Sequence, residues 1–307
     1  MSGFDRRVWF RTSTGLGRTV AEVALENSEI VVATARQPSS LDNLAQRYSK
    51  DRLLVLPLDV THPEQVAEAF SHAIRTFGRV DVVFNNAGKG DIGEFEAMED
   101  SVARSMLETN FWGAVSVTKE AVKCFRESNP PGAGGRLLQM SSVLGLVGLP
   151  VFSSYAASKF ALEGSSETLA AELDPAWNIK VGHAPPSLYL LTMLTSDHVS
   201  LLQITIIEPG YIRSELARRG TLAPEHPAYR QNPDLPTTHM RRIGFENIPT
   251  WKDTRRSAEA FYKIACVPDP PLHFVVGKDA IAIARKKIAA LTADIDTYEK
   301  LSEGLEE

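Results

Sequence analysis

Short apolar runs alternate with stretches that repeat apolar residues at helical spacing through the first two thirds of the chain. Runs that are apolar throughout are typical of strands buried on both faces of a parallel sheet. Alternation of such strands with helices predicts an α/β fold, a doubly wound parallel sheet with helices on both faces. The predicted strands are residues 8–10, 30–33, 53–56, 80–84 and 136–140, and the predicted helices are residues 17–26, 40–48, 63–77, 101–127 and 154–173.

The C-terminal third shows a different pattern. Residues 215–256 are rich in Arg, Pro, Asn and Thr and have little periodicity, which predicts a substrate lid or, alternatively, a surface excursion. Residues 257–265 are expected to form a helix and residues 272–276 a last strand. Residues 279–302 are expected to form an amphipathic helix whose many charges make a solvated face, with heptads too short to indicate a coiled coil.

Composition narrows the class of partner. The chain has 307 residues, is 43% hydrophobic and carries a formal net charge of −5, which argues against nucleic acid or an anionic membrane and favours a small molecule. Only two cysteines, Cys124 and Cys266, indicate a reducing compartment without a disulfide framework. The longest apolar stretch, residues 188–207, contains Asp197 and His198, so no membrane span is expected, and we expect a cytoplasmic protein.

Tyr155 and Lys159 form the most informative polar pair. Four residues apart on a predicted helix, they share a face, and a lysine cation beside a phenol lowers its pKa toward neutral pH. Ser142, thirteen positions before Tyr155, supplies a second hydroxyl for the same substrate oxygen. The alternative for Tyr155 and Lys159 is an exposed tyrosine and a solvated lysine. With Ser142 in place, the three residues predict a general acid–base site.

A glycine-containing turn follows the first predicted strand. It runs from Thr12 through Gly15, Leu16 and Gly17 into a helix, where backbone N–H groups can approach a pyrophosphate. The pattern lacks one of the usual three glycines, so a plain tight turn is the alternative.

Three further segments end predicted strands, where ligands of doubly wound sheets bind. After the second strand Arg36 stands where an NAD-preferring site has an acid, which favours NADP(H) over NAD(H), unless Arg36 is only solvated. Asp59 could accept a hydrogen bond from the adenine amino group or could cap the next helix. The small residues of the Asn86-Ala87-Gly88 segment would let the backbone approach the cofactor, or would form a turn.

Together these residues resemble the short-chain dehydrogenases/reductases, in particular the hydroxysteroid- and retinol-dehydrogenase-like branch and its fungal members. The resemblance rests on the motif residues Asn85-Asn86-Ala87-Gly88, Asn110, Ser142, Tyr155 with Lys159, and Glu208-Pro209-Gly210-Tyr211-Ile212-Arg213-Ser214. It implies one Rossmann-type domain of about seven strands over residues 1–307, in which residues 1–150 mainly hold the cofactor. Residues 151–307 would then supply the catalytic helix, the lid and the C-terminal helix.

The resemblance also implies roles. Tyr155 would exchange a proton with the substrate oxygen, Ser142 would polarise that oxygen, and Lys159 would lower the Tyr155 pKa and bind the nicotinamide ribose. Asn110 would hold a water that links Lys159 to solvent. Contacts to the nicotinamide would come from the last motif, through Pro209, Ile212 and Ser214. The implied reaction interconverts a secondary alcohol and a ketone or aldehyde on a lipophilic small molecule, with no metal. Relatives pair through the helices at 101–127 and 154–173, so a homodimer or homotetramer is possible.

The chain departs from the family pattern in two places. The glycine loop between Thr12 and Gly15 is two residues short, which keeps open a non-catalytic, nucleotide-sensing or interaction protein that has retained the fold. Residues 181–203 separate two halves of the sixth strand, and deleting them joins Lys180 to Ile204 in a continuous β pattern. We hypothesise that this 23-residue segment is a translated intron; the alternative is a genuine loop at the sheet edge.

Overall fold

The computed structural model describes residues 7–12, 15–174, 177, 179–180, 204–213, 216, 219–243 and 251–305. The segment 181–203, Ser214 and parts of the predicted lid lie outside the described residues.

One parallel sheet forms the centre of the fold. Its strand order is β3-β2-β1-β4-β5-β7-β8, with the two-residue β6 also paired to β5. This order confirms the predicted doubly wound α/β sheet and is that of a Rossmann fold. The strands are β1 Val8–Thr12, β2 Ile30–Ala35, β3 Leu53–Pro57, β4 Val82–Asn85, β5 Gly135–Met140, β6 Ile179–Lys180, β7 Ile204–Pro209 and β8 His273–Val276.

β6 and β7 are two halves of one strand. Along β5, Arg136 pairs with Lys180 and the next residue, Leu137, pairs with Ile204. Lys180 and Ile204 therefore occupy consecutive positions of the ladder, which is the continuous run predicted from the sequence without residues 181–203. Whether that segment is a translated intron stays a hypothesis, which the transcript sequence tests.

Helices flank the sheet in the predicted order, with two differences. The helix expected at 40–48 is reduced to a single turn, because only Leu41 and Leu44 there are buried and offer too little apolar surface to fix a longer one. The helix expected at 101–127 is interrupted by a π-helical turn, Glu108–Trp112. The α-helices are α1 Leu16–Glu26, α2 Asp42–Ala45, α3 Pro63–Phe77, α4 Asp100–Leu107, α5 Gly113–Glu127, α6 Ser153–Glu172, α7 Pro227–Arg230, α8 Pro236–Ile243, α9 Thr254–Cys266 and α10 Lys278–Tyr298.

Alternating side chains of the strands build a core on each face of the sheet. On β1, Phe10 points to the side of α3 and stacks on Phe70, with ring centroids 4.1 Å apart. Its neighbour Trp9 points to the side of α1 and α9 and stacks on Tyr262 at 5.4 Å. This three-layer packing fixes the carboxyl ends of the strands, where the candidate residues lie. Among the described helices, none is both long and apolar enough to cross a lipid bilayer.

Candidate active site

Three of the predicted catalytic residues meet at the end of β5. Ser142 follows the strand and caps a 3₁₀ turn, accepting a hydrogen bond from the Leu144 N–H at 3.2 Å. Tyr155 lies in the first turn of α6, and Ser142 is close enough to its phenol to act against the rise of the Tyr155 pKa. One turn further along, the Lys159 ammonium lies 5.8 Å from the centroid of the Tyr155 ring. The structure thus brings the two hydroxyls and the cation together as the spacing predicts.

Lys159 is buried to 3% exposure, and its Nζ donates to the carbonyl oxygen of Met140 at 2.7 Å. Burial lowers the pKa of Lys159 to about 8, against the opposing charge of Glu163. Burial also raises the pKa of Tyr155 to about 12, and the neighbouring Ser142 hydroxyl offsets only part of this rise. The expected lowering of the Tyr155 pKa by Lys159 is therefore not found in this state, because desolvation dominates.

Asn110 is held within the π-helical turn between α4 and α5. Its Oδ1 accepts from the Lys89 N–H at 2.8 Å, and its Nδ2 donates to the Lys89 carbonyl at 2.9 Å. The same Nδ2 donates to the Ser158 hydroxyl at 3.0 Å, which donates to the Tyr155 carbonyl at 2.7 Å. π-turns often occur at functional sites. Here the turn brings a fully buried amide into a network that reaches the backbone of the Tyr155 helix.

A carboxyl cluster lies behind Lys159; it consists of Glu163, Glu167, Glu208 and His273. Glu163 and Glu167 continue the face of α6 that carries Tyr155 and Lys159, while Glu208 and His273 face them from β7 and β8. His273 Nδ1 is 2.6 Å from Glu208 Oε1, and His273 Nε2 is 3.6 Å from Glu167 Oε1. Glu163 accepts a hydrogen bond from the hydroxyl of Ser141, which precedes Ser142.

Two carboxylates of the cluster are almost completely buried, Glu163 at 3% and Glu208 at 0% exposure. Burial and the charge of Glu208 raise the pKa of Glu163 to about 8. A Cβ atom at Gly145 would overlap the Glu163 carboxyl group, so Glu163 packs directly under the turn that Ser142 caps. Sequence reasoning missed this cluster, although the spacing 155, 159, 163, 167 places Glu163 on the predicted catalytic face.

The residues predicted for the phosphate end lie where β1 enters α1. Thr12 is the last residue of β1, and Gly15 is the N-cap of α1 with φ 53° and ψ −123°. A positive φ at this position favours glycine and directs the chain sharply into the helix. Leu16 and Gly17 begin the helix and are buried. The first-turn N–H groups of a helix lack intrahelical acceptors, which makes this end suited to an anion.

Arg36 directly follows β2 and is exposed, and Asp59 follows β3. The Asp59 carboxylate accepts from the Thr61 N–H at 3.0 Å and from the Thr61 hydroxyl at 2.8 Å. Burial opposes ionisation of Asp59, but these bonds and the charge of Arg36 outweigh it and lower the pKa. His62, rather than Asp59, is the N-cap of α3, so the helix-capping alternative does not hold. Arg36 and Asp59 line one cavity of about 550 Å³.

The remaining cofactor residues end β4 and β7. Asn86, Ala87 and Gly88 follow β4, and a Cβ atom on Gly88 would lie 3.3 Å from Asn110 Oδ1. Pro209 is the last residue of β7, and Ile212 is buried and bridges to Lys252. Ser214 lies outside the described residues. The predicted positions therefore share the carboxyl edge of the sheet with Tyr155.

The segment 219–243 lies over the loop that follows β4. Arg241 Nη1 pairs with the buried Glu94 at 2.7 Å, and the Thr221 hydroxyl donates to Asp91 at 2.7 Å. Met240 packs on the small apolar cluster that also contacts Tyr155. The members of this cluster are Ile92, Val143, Leu144, Val151, Phe152, Ala156 and Ala280, with Val147, Leu149, Tyr155, Met240, Val275 and Ile283 partly buried against it.

The comparison with known families agrees with this geometry. The short chain dehydrogenase family matches residues 12–200 of the chain. The chain belongs to this family of oxidoreductases, the short-chain dehydrogenases/reductases.

Individual relatives extend the similarity over the whole chain. An uncharacterized oxidoreductase, C162.03, from Schizosaccharomyces pombe is 37% identical, and the match covers 95% of this chain and 88% of the relative. Oxidoreductase BOA17 from Botryotinia fuckeliana is 32% identical over 96% of this chain and 98% of its own. The crystal structure of a short-chain dehydrogenase from Streptomyces avermitilis superposes with a TM-score of 0.80 at 28% identity, covering 99% of this chain and 100% of that one.

Proposed function

We propose that this chain is an NADP(H)-dependent alcohol dehydrogenase/ketoreductase that interconverts a secondary alcohol and a ketone or aldehyde on a lipophilic small molecule. One observation carries the proposal: the buried ammonium of Lys159 lies 5.8 Å from the centroid of the Tyr155 ring, one turn along α6, with Ser142 on the facing loop after β5. A protein that only binds nucleotide has no physical need to bury a lysine beside this pair.

The protonation states favour reduction of a carbonyl group. Because the pKa of Tyr155 is raised to about 12, its phenol carries a proton at neutral pH and can donate it to a carbonyl oxygen. Ser142 holds the same oxygen by a hydrogen bond, so the substrate carbonyl is oriented and polarised. Asn110, through Ser158, keeps the start of α6 in place. Lys159 supplies the positive charge that stabilises the tyrosinate left after proton transfer.

The residues present fit a nicotinamide dinucleotide. Gly15 gives the sharp entry to α1, and the absence of a side chain at Gly88 leaves the backbone close to Asn110. Thr12, Leu16, Gly17, Asp59 and the Asn86-Ala87 pair would complete the binding edge, with Pro209, Ile212 and Ser214 at the nicotinamide end. When bound, the dinucleotide supplies or accepts the hydride.

Arg36 supports the preference for NADP(H). It stands directly after β2, is exposed, and lines the same cavity as Asp59, so its guanidinium is accessible to a ribose phosphate. Two more distant structures with the same fold, at 22% and 19% identity, are complexes with NADP and with NAD, respectively. Structures of this fold thus include complexes with either cofactor, and the proposed preference rests on Arg36.

The apolar cluster around Tyr155 supports a lipophilic substrate. Val147, Leu149 and Met240 are only partly buried against the cluster on which Tyr155 also packs, and they offer apolar surface to a ligand.

The test is a fluorescence titration of the purified chain with NADPH and NADH, followed by a carbonyl screen. We expect NADPH to bind more tightly, and Arg36→Asp to weaken NADPH by about 10- to 100-fold, the range for one charge-assisted contact. Gln37→Ala, at the neighbouring exposed position, is the matched control and should leave both affinities unchanged. A folded chain that binds neither cofactor would favour the non-catalytic alternative, and equal affinities for both would remove Arg36 as the selector.

A further inference from the structure

α10 leaves the body of the protein after its second turn. Ala280 and Ala284 are buried against the body, whereas every residue from 285 to 305 is exposed. The last four turns of the helix thus have no contact that buries them within the described part of the chain. Isolated helices of this length are marginal in water. Such a helix is ordinarily stabilised by packing against a partner.

Large apolar side chains follow one face of the projecting part. Their exposed fractions are 65% for Ile288, 51% for Leu291, 56% for Ile295 and 61% for Tyr298. The spacing alternates three and four residues and continues back to the buried Ala284, which is the a/d pattern of a two-stranded coil. We call Ile288, Leu291, Ile295 and Tyr298 the apolar stripe. The sequence predicts an amphipathic helix with a solvated charged face and heptads too short for a coiled coil, but in the structure the apolar stripe is solvent-exposed as well.

Charge along α10 is divided between its two halves. The three residues before the stripe are basic: Arg285, Lys286 and Lys287. The second half of the helix carries Asp294 and Asp296, and the 3₁₀ turn that follows α10 adds Glu299, next to Lys300. Two copies aligned in parallel would place like charges together, whereas antiparallel copies place each basic half against an acidic half. The acidic half also disfavours an anionic membrane as the partner.

The attachment of the helix favours the same orientation. Each body sits at the N-terminal end of its α10, so two parallel helices would bring both bodies to the same end of the pair. Antiparallel helices place the bodies at opposite ends, with about 21 Å of helix between residues 285 and 299 at 1.5 Å per residue. A two-fold axis across the middle of the stripe then makes each contact occur twice.

We propose that α10 pairs with α10 of a second copy of this chain as an antiparallel two-helix coil closed by the apolar stripe. In this register Ile288 faces Tyr298 of the second copy, Leu291 faces its Ile295, and Arg285 lies opposite its Glu299. This surface is separate from the 101–127 and 154–173 helices through which relatives pair, so both contacts together give a tetramer.

Sedimentation of the full chain tests the pairing. We expect the native chain to sediment at an even multiple of its 33.7 kDa mass, and the double variant Ile288→Lys/Ile295→Lys to sediment at half the native value. Ala289→Lys/Ala293→Lys adds the same charge outside the stripe and is the matched control, expected to keep the native mass. All four positions are exposed, so misfolding is not expected, and circular dichroism checks it. A monomeric native chain, or an assembly that the stripe variant leaves intact, overturns the proposal.

Disulfide trapping tests the orientation. In a Cys266→Ser background, which removes the exposed native thiol, chains carrying Ile288→Cys are mixed with chains carrying Tyr298→Cys and oxidised. The antiparallel register predicts covalent dimers in the mixture and none in either chain alone. Dimers in each chain alone would show parallel helices and overturn the proposed orientation.

Discussion

In the two longest helices of the described residues, α6 and α10, charged side chains are buried and apolar side chains are exposed, the reverse of the usual relation. α6 has 20 residues and α10 has 21. α6 buries Lys159 and Glu163 to 3% exposure each, whereas α10 leaves Ile288 and Ile295 more than half exposed. Exposed apolar residues are common when scattered, but buried charges and contiguous apolar stripes are not.

The difference teaches where to look for function. Burying a charge costs desolvation free energy, so the buried Lys159 and Glu163 indicate a site that requires them. Exposing an apolar stripe to water is also unfavourable, so α10 indicates a surface that is covered in the assembled protein. Variants in the two helices should therefore affect different measurements.

The largest effect is expected at the start of α6. Tyr155→Phe removes the proton donor but keeps the ring, so we expect turnover of the carbonyl found in the screen to fall by about 10²- to 10⁴-fold. Cofactor affinity and thermal midpoint should stay at their native values, measured by the same titration and by calorimetry. Turnover retained in the variant would remove Tyr155 from the reaction.

The network behind α6 should respond next. Asn110→Ala removes three hydrogen bonds to Lys89 and Ser158 and leaves buried polar groups without partners. At about 1–3 kcal/mol for an unsatisfied buried group, we expect the midpoint of thermal unfolding to fall by roughly 4–10 °C. Thr109→Ala serves as the control, because this partly buried neighbour bonds only to the Ser105 carbonyl one turn earlier. An unchanged midpoint in Asn110→Ala would show that the π-helical turn is held by other contacts.

Glu163 should make stability depend on pH. Its pKa is raised to about 8, so the folded chain retains a proton that the unfolded chain releases at lower pH. Stability is lost as the pH rises through this window. The Glu208 hydrogen bond raises the pKa of His273, which also lowers stability as the pH rises. The lowered pKa of Lys159 has the opposite effect on stability, but only above about pH 8.

We therefore expect the native midpoint to fall by several degrees between about pH 5 and pH 8, and Glu163→Gln to flatten this slope, since the amide has no proton to release. Glu167→Gln, with a less buried carboxylate beside the same histidine, is the matched control. Equal slopes in the native chain and in Glu163→Gln would assign the proton to another group.

The smallest effect on single-chain stability is expected in α10. Ile288→Ser, measured at dilution where copies are apart, should change the free energy of unfolding by less than about 0.5 kcal/mol, because its side chain contacts little of the body. Chemical denaturation measures this. A change above 1 kcal/mol would show that the stripe packs against its own chain.

The sequence predicted what depends on local pattern. Apolar periodicity predicts the doubly wound parallel sheet and the joining of Lys180 to Ile204. The four-residue spacing predicts that Tyr155 and Lys159 share a helix face. The π-helical turn at Asn110 did not, because Ser158, 48 residues away, is one of the partners that hold it. The carboxyl cluster likewise needs β7 and β8 to bring Glu208 and His273 to α6. Local sequence periodicity does not predict such contacts between residues that are distant in the chain.

The interrupted strand has a consequence for how this chain tolerates change. Lys180 and Ile204 occupy adjacent rungs against β5, so the chain leaves and re-enters the sheet at a single point. Because the residues on both sides pair with β5, the pairing of the strand does not depend on how many residues separate Lys180 from Ile204. We therefore expect a peptide or a folded domain inserted at this point to leave the register of the catalytic edge unchanged.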